Sequence, residues 1–151
     1  MMVFIAAAML ILASCQRKPV MSHASFVNLP ASGWQNSMPL EFHPVYDDSA
    51  RTHQLILAVR HDNSYKYANL SLVVDIIGTD SVVKRQTVEL RLADEYGNWT
   101  GAGFGALYQD KTSIATAIAP DQARSVVVWQ TMEGNDTLRG VVNLGIIARP
   151  Q

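Results

Sequence analysis

The clearest structural signal in this sequence is one eight-residue stretch, Leu70-Ser71-Leu72-Val73-Val74-Asp75-Ile76-Ile77. Every second residue from Leu70 to Ile76 is a large aliphatic, and polar Ser71 and Asp75 fall between them. A period of two places alternate side chains on opposite faces of a β-strand. The stretch therefore predicts a strand that turns one face towards a hydrophobic core.

The same alternation recurs on both sides of this strand, in residues 54–60 and 87–92. Further candidate strands are 39–45, 112–118, 124–132 and 138–148. Turn-forming residues such as Gly134-Asn135-Asp136 separate the segments. About seven or eight strands at this spacing predict an all-β, two-sheet antiparallel β-sandwich, with jelly-roll-like and immunoglobulin-like topologies both open. The stretch 105–111 is the one candidate for a short helix.

The residue pattern at the N-terminus is typical of a secretion signal. Residues 3–13 are uncharged and apolar, too short a run for a spanning helix, and they end at Leu12-Ala13-Ser14-Cys15. This tetrapeptide is similar to a bacterial lipobox, in which small residues admit the signal peptidase and the cysteine thiol takes the lipid. We predict a lipoprotein signal peptide at 1–14, a lipidated tether at 15–25 and a single domain at 26–151. Cys15 is the predicted lipidation site, and its acyl chains would hold the protein on a membrane.

Composition excludes some function classes. The chain has 151 residues, 48% of them hydrophobic, and a formal net charge of −1. Nucleic-acid binding is not expected, because it requires a basic surface. Cys15 is the only cysteine, so no disulfide can form within the chain.

No compact catalytic or metal-binding motif is present. His43, His53 and His61 lie near acidic residues, but at spacings too loose for a zinc site, and we read them as surface histidines in turns. Asp75, Glu89 and Asp94 are carboxylates whose mutual distances the sequence does not determine. We therefore expect no enzyme activity, no cofactor and no metal site.

The glycines from Gly101 to Gly105 lack the spacing of a phosphate-binding loop. They predict a loop that needs positive φ angles or close packing. The Gly97-Asn98 turn signal predicts an ordered turn and loop from Asp94 to Gly105, with Trp99 buried. Trp99 and Trp129 are predicted to cap the ends of the core.

Several stretches resemble the gliding-motility lipoprotein H (GldH-like) family of the Bacteroidetes. They are Gly33-Trp34 with Pro39-Leu40-Glu41-Phe42, Arg60 with Tyr65-Lys66-Tyr67-Ala68-Asn69-Leu70, Leu92-Ala93-Asp94 with Gly97-Asn98-Trp99-Thr100-Gly101, then Gly103, Gly105 and Tyr108, and Gly140-Val141 with Leu144-Gly145-Ile146. The resemblance covers about Val27 to Ala148.

The resemblance implies an envelope lipoprotein linked to gliding and to its dedicated protein-secretion apparatus. It supplies no catalytic residues. Surface-exposed lipoproteins of this phylum tend to carry acidic residues after the cysteine, whereas Arg17 and Lys18 are basic here. We therefore expect an anchor in the outer membrane that faces the periplasm.

Two functions remain open at this stage. The first is a non-enzymatic accessory or structural component that binds other envelope proteins. The second is a glycan- or ligand-binding lipoprotein that uses exposed aromatic rings. Arg60, Tyr65, Tyr67 and Asn69 are the predicted partner-binding residues, since Tyr and Arg are frequent at binding hot spots. The alternative for Tyr65 and Tyr67 is that they plug the end of the sandwich, while Asn69 bonds the loop backbone.

Overall fold

A computed structural model describes residues 21–151. The predicted signal peptide, Cys15 and the first part of the tether lie outside these described residues. Within 21–151, no helix has the length and apolar character needed to cross a membrane.

The described chain is almost entirely β-structure. A short 3-10 turn occurs at Pro120–Gln122. The strands are β1 (His23–Asn28), β2 (Trp34–Gln35), β3 (Leu40–Phe42), β4 (His53–His61), β5 (Asn69–Ile77), β6 (Val82–Arg91), β7 (Ala102–Phe104), β8 (Leu107–Ile118), β9 (Ser125–Gln130), β10 (Thr137–Leu138) and β11 (Val141–Pro150).

These strands form two main antiparallel sheets. The larger has the order β1-β11-β4-β8-β7, and the smaller has the order β3-β9-β5-β6. β10 and β2 pair separately as a two-stranded ribbon. The predicted all-β sandwich is confirmed.

The alternation seen in the sequence builds the core between the sheets. Leu70, Leu72, Val74 and Ile76 of β5 are fully buried, and they pack in one cluster with residues of the other sheet such as Leu57 of β4. Burying an aliphatic side chain of this size contributes about 1.5–3 kcal/mol. The intervening side chains of each strand form the outer faces of the sandwich.

Two segments differ from their predictions. The candidate helix at 105–111 is wrong, because Gly105 turns the chain at a φ of 63° and β8 starts at Leu107. β8 is held between β4 and β7, so pairing with neighbouring strands overrides any local helical tendency. The segment predicted as tether ends earlier than residue 25, since His23 already pairs with Ala148 of β11.

Candidate functional site

Five rings gather at one end of the sandwich, where the loop between β4 and β5 meets the turn that follows β6. We call this group the aromatic end cluster; its members are His61, Tyr65, Tyr67, Trp99 and Tyr108. The ring centroids of His61 and Trp99 lie 4.5 Å apart, and those of Tyr65 and Tyr67 lie 5.7 Å apart. The stretches around Tyr65-Lys66-Tyr67 and Gly97-Asn98-Trp99, both of which resemble the GldH-like family, therefore meet in space.

Tyr65 lies in the interior of this cluster. Its side chain is 3% exposed, and its hydroxyl donates to the backbone oxygen of Asn69 at 2.7 Å. Burial raises the pKa of this hydroxyl above its usual value, and the neighbouring Tyr67 adds to the effect. Tyr65 thus fills the end of the core, and its ring is not accessible to a partner.

Tyr67 sits at the margin of the cluster and is half-buried. Its hydroxyl donates to Oδ1 of Asn135 at 2.5 Å, which ties the β4–β5 loop to the β9–β10 loop. A shallow groove of about 370 Å³ beside it is lined by Tyr67, Asn69, Met132 and Asn135 among others. Of the two tyrosines predicted to bind a partner, Tyr67 is therefore the one that reaches the surface.

Arg60 and Asn69 do not share one surface. Arg60 lies on the outer face of the five-stranded sheet, with its guanidinium carbon 4.1 Å from the centre of the Phe26 ring and its Nε donating to Gln109. Asn69 is exposed at the start of β5, in the other sheet. The four predicted partner-binding residues therefore do not form one site, because Arg60 is the penultimate residue of β4 and points outward.

The turn from Asp94 to Asn98 is ordered, as the sequence predicted. The carboxylate of Asp94 accepts hydrogen bonds from the side chain and backbone amide of Asn98 and from the amide of Tyr96. These bonds, the Asn98 side chain first, lower the pKa of Asp94. A bridge between Ala93 and Trp99 then closes the turn.

The two predicted core tryptophans are less buried than expected. Trp99 is half-buried: its ring packs on His61, and its Nε1 donates to Oδ1 of Asn63 at 2.9 Å. Trp129 is also half-buried, but it points to the outer face of the four-stranded sheet, 6.0 Å from the guanidinium of Arg85. The prediction that Trp129 caps the core is wrong, because in this part of β9 the buried side chains are the alternate residues Val126, Val128 and Gln130.

The reading of His53 and His61 as surface residues is also wrong, since both are fully buried at the two ends of β4. They follow the same odd-numbered alternation as Leu55, Leu57 and Val59, and extending that pattern by one position at each end would have found them. His53 packs its ring against Tyr46, at 4.7 Å between centroids.

His61 also faces a carboxylate, Asp110, that no pattern in the sequence indicated. Its Nε2 lies 3.6 Å from Oδ2 of Asp110, a carboxylate on the neighbouring strand β8. Burial raises the pKa of Asp110, and the positive charge that His61 can carry opposes this. Gly101 packs so closely on Asp110 that a β-carbon at 101 would overlap the carboxylate. The close packing predicted for the glycine-rich segment is therefore found at Gly101.

Among residues 21–151, no group of three or more His, Cys, Asp or Glu side chains is arranged to hold a metal ion. Asp75 accepts two hydrogen bonds of 2.6 Å from Arg85, and Glu89 accepts one from Ser71. Together with Asp94 in its turn, the carboxylates considered for catalysis have structural partners and do not converge on one site.

Comparison with known proteins identifies the family. The family model described as GldH lipoprotein matches residues 22–147. A gliding motility lipoprotein GldH homolog from Christiangramia forsetii is 27% identical over 137 residues, which cover 89% of this chain and 82% of that protein. A gliding motility lipoprotein GldH from Flavobacterium johnsoniae is 29% identical over 144 residues, which cover 91% of this chain and 89% of that protein.

Two solved structures show distant likenesses, each at 10% identity. A nora virus chain aligns with a TM-score of 0.37 over 85% of this chain and 53% of its own length. A Tobacco streak virus coat protein aligns with a TM-score of 0.34 over 83% and 85%. TM-scores this low do not establish a shared fold or function. The family match, in contrast, spans most of the described residues: the chain belongs to the GldH lipoprotein family and is a gliding-motility-associated, lipid-anchored protein of the cell envelope.

Proposed function

We propose that this chain is a non-enzymatic accessory or structural component of the gliding apparatus or of the linked secretion machinery, and that it works by binding other envelope proteins. The observation that carries the proposal is the surface beside the aromatic end cluster. We call it the end rim and define it by Tyr67, Asn69, Met132 and Asn135, which line one groove.

The end rim has the properties of a protein-binding surface. Tyr67 and Met132 supply half-buried apolar area, while Asn69 is exposed and polar. The buried Tyr65 and the hydrogen bond from Tyr67 to Asn135 hold the two loops in place. Recognition residues on a rigid sandwich are commonly carried by such loops.

The glycan-binding alternative has less support. A sugar-binding platform would present aromatic rings as a coplanar exposed row. The rings of Tyr65 and Tyr67 instead meet at 75°, and those of His61 and Trp99 at 63°. His61 and Tyr65 are also buried.

The arrangement of titratable groups supports a non-enzymatic role. His61 and Asp110 are the closest approach to an acid–base pair at this end of the fold, but His61 is fully buried beneath the rings. A substrate would have to displace the aromatic end cluster to reach it. General acid–base chemistry needs hydrogen-bond reach to the substrate, and this packing does not provide it.

The proposal also includes a lipid anchor and its location. Cys15 is the residue that we propose carries the acyl chains, and the outer membrane facing the periplasm is the proposed location. Arg17 and Lys18 after the cysteine support this placement over the cell surface.

The experiment is photo-crosslinking in living cells. A photoreactive amino acid at Asn69, at the start of β5, is compared with one at Asp80, which is exposed beyond the opposite end of the same strand. We expect a discrete crosslinked envelope protein from position 69 and none from position 80. Equal crosslinking at both positions, or none at 69 in cells that glide, would contradict the proposal.

A further inference from the structure

The outer face of the five-stranded sheet differs in charge from the rest of the molecule. Its side chains are those that alternate with the core positions of β1, β11, β4 and β8. We call it the basic sheet face, and its members are Ala24, Phe26, Asn28, Asn143, Gly145, Ile147, Arg149, Gln54, Ile56, Ala58, Arg60, Gln109, Lys111 and Ser113. Among these positions are three basic residues and no carboxylate, although the whole chain has 12 basic and 13 acidic residues.

The cations of this face are presented in two different ways. Arg60 is held in place by Phe26 and Gln109. Lys111 and Arg149 are exposed, and neither forms an ion pair with another residue in the described part of the chain. The three positions are spread over three adjacent strands, so they form a broad patch and not a single pocket.

The described chain begins on this same sheet. β1 is its edge strand, and Arg149 follows the residue that pairs with His23. Seven residues lie between Cys15 and His23, so the two α-carbons are joined by eight Cα–Cα steps. At full extension they span about 28 Å, which keeps the domain close to any bilayer that holds the cysteine's acyl chains. The tether thus brings the domain to a membrane, and the charge distribution distinguishes one face from the other.

We propose that the basic sheet face docks on anionic phospholipid headgroups of the membrane that holds the anchor. The inference rests on the lipid anchor of the proposed function. Docking would fix the orientation of the sandwich, so that the end rim lies to the side of the bilayer contact and stays open to a protein partner. Each basic residue near an anionic surface favours the docked state by about fivefold.

The test uses the full lipidated chain in vesicles. A cysteine replaces Ser113, which is exposed on the basic sheet face, or Thr87, which is exposed on the outer face of the other sheet. Because Cys15 is the chain's only cysteine, a spin label attaches at the new position alone once Cys15 is acylated. Relaxation by a nickel-chelating lipid reports the distance from the label to the headgroups.

We expect the Ser113 label to approach the headgroups in vesicles that contain phosphatidylglycerol, and to leave them in phosphatidylcholine alone or at high salt. The Thr87 label should stay away in both. The double variant Lys111→Gln, Arg149→Gln should lower the ratio of docked to undocked protein about 25-fold. The control variant Arg91→Gln, Arg124→Gln removes the same charge from the last residue of β6 and from the exposed residue just before β9, away from the basic sheet face, and should leave docking unchanged.

Three outcomes would overturn the proposal: no approach of Ser113 in anionic vesicles, equal approach in both lipids, or docking that survives loss of Lys111 and Arg149. Crosslinking of position 113 to an envelope protein in cells would also overturn it, and would assign the face to a protein. Failure of the anchor is distinguishable, because mass spectrometry would show Cys15 without acyl chains. Failure of the end rim would appear only in crosslinking at Asn69.

Discussion

Gly140 packs its α-carbon directly against the backbone of Tyr65. A β-carbon at residue 140 would overlap the backbone nitrogen and α-carbon of Tyr65, and the φ of Gly140 is 91°. The carbonyl of Gly140 also accepts a hydrogen bond from the amide of Asp62. The start of β11 therefore holds the loop that carries Tyr65 and Tyr67.

The first prediction tests this contact. Gly140→Ala should destabilise the fold by more than about 2 kcal/mol, because it adds a steric overlap to an unfavourable φ. Gly134→Ala is the matched control: its φ is 71°, but open space surrounds its α-carbon. The control should cost only about 1–2 kcal/mol. Urea unfolding of both variants measures the difference, and equal losses would show that the Tyr65 contact is unimportant.

The second prediction separates the two tyrosines of the loop. Tyr65→Ala should cost about 3–5 kcal/mol of unfolding free energy, because the ring is buried in the core. Tyr67→Phe keeps the ring and loses only the hydrogen bond to Asn135, at a cost of about 1 kcal/mol. Thermal melts measure both. If Tyr67→Phe lowers the melting temperature by no more than this cost but loses envelope crosslinks from Asn69, the partner role of Tyr67 gains support. A small loss for Tyr65→Ala would contradict its structural role.

The third prediction compares the two half-buried tryptophans. Trp99 contacts three other rings and donates a hydrogen bond to Asn63. Trp99→Ala should therefore cost about 2–3 kcal/mol, just below the range for a fully buried ring. Trp129 lies on an outer sheet face, and Trp129→Ala should cost below about 1 kcal/mol. Chemical denaturation tests both. A reversed order would mean that the aromatic end cluster contributes little to stability.

The fourth prediction concerns pH and two carboxylates with opposite pKa shifts. The pKa of Asp94 is lowered in the folded state, so its contribution to stability is full above about pH 4 and is lost as the pH falls through its folded pKa. The pKa of Asp110 is raised, so its ionisation destabilises the fold as the pH rises from about 4 through its folded pKa.

The two variants should therefore behave oppositely. At neutral pH, Asp94→Asn should be less stable than the parent, and the difference should vanish in strong acid. Asp110→Asn should be at least as stable as the parent at neutral pH, and this advantage should vanish below about pH 4. Melting temperatures across this range provide the measurement. A neutral-pH loss for Asp110→Asn would mean that the ion pair with His61 outweighs the cost of burial.

The fifth prediction concerns processing. Cys15→Ala should abolish lipidation and leave an unprocessed or released chain, because the thiol is the proposed acceptor. Metabolic labelling with palmitate, followed by mass spectrometry of the N-terminus, measures this. Ser14→Ala keeps a small residue before the cysteine and should be processed normally. Palmitate label that persists in Cys15→Ala would reject the site.

The local pattern of residues was sufficient to predict much of this protein's secondary structure. A period of two needs only neighbouring residues to establish which side chains share a strand face, and β4, β5 and β6 follow it closely. The turn at Asp94–Asn98 was also predictable, because its carboxylate bonds amides within four residues. The family resemblance predicted the lipoprotein class that the comparisons confirm.

Packing between residues far apart in the chain determined which side chains meet in the tertiary structure. The period of two shows that His61 and Leu57 share a face, but only the pairing of β4 with β8 brings Asp110, which lies opposite Val59, to 3.6 Å from that histidine. Arg60 is close to Tyr65 in sequence, yet as the penultimate residue of β4 it points to the opposite side of the sheet. Contacts between residues far apart in the chain depend on strand order, which alternation within one strand does not encode. For this reason the sequence indicated a β-sandwich lipoprotein, whereas the tertiary structure determined which side chains form the end rim and the basic sheet face.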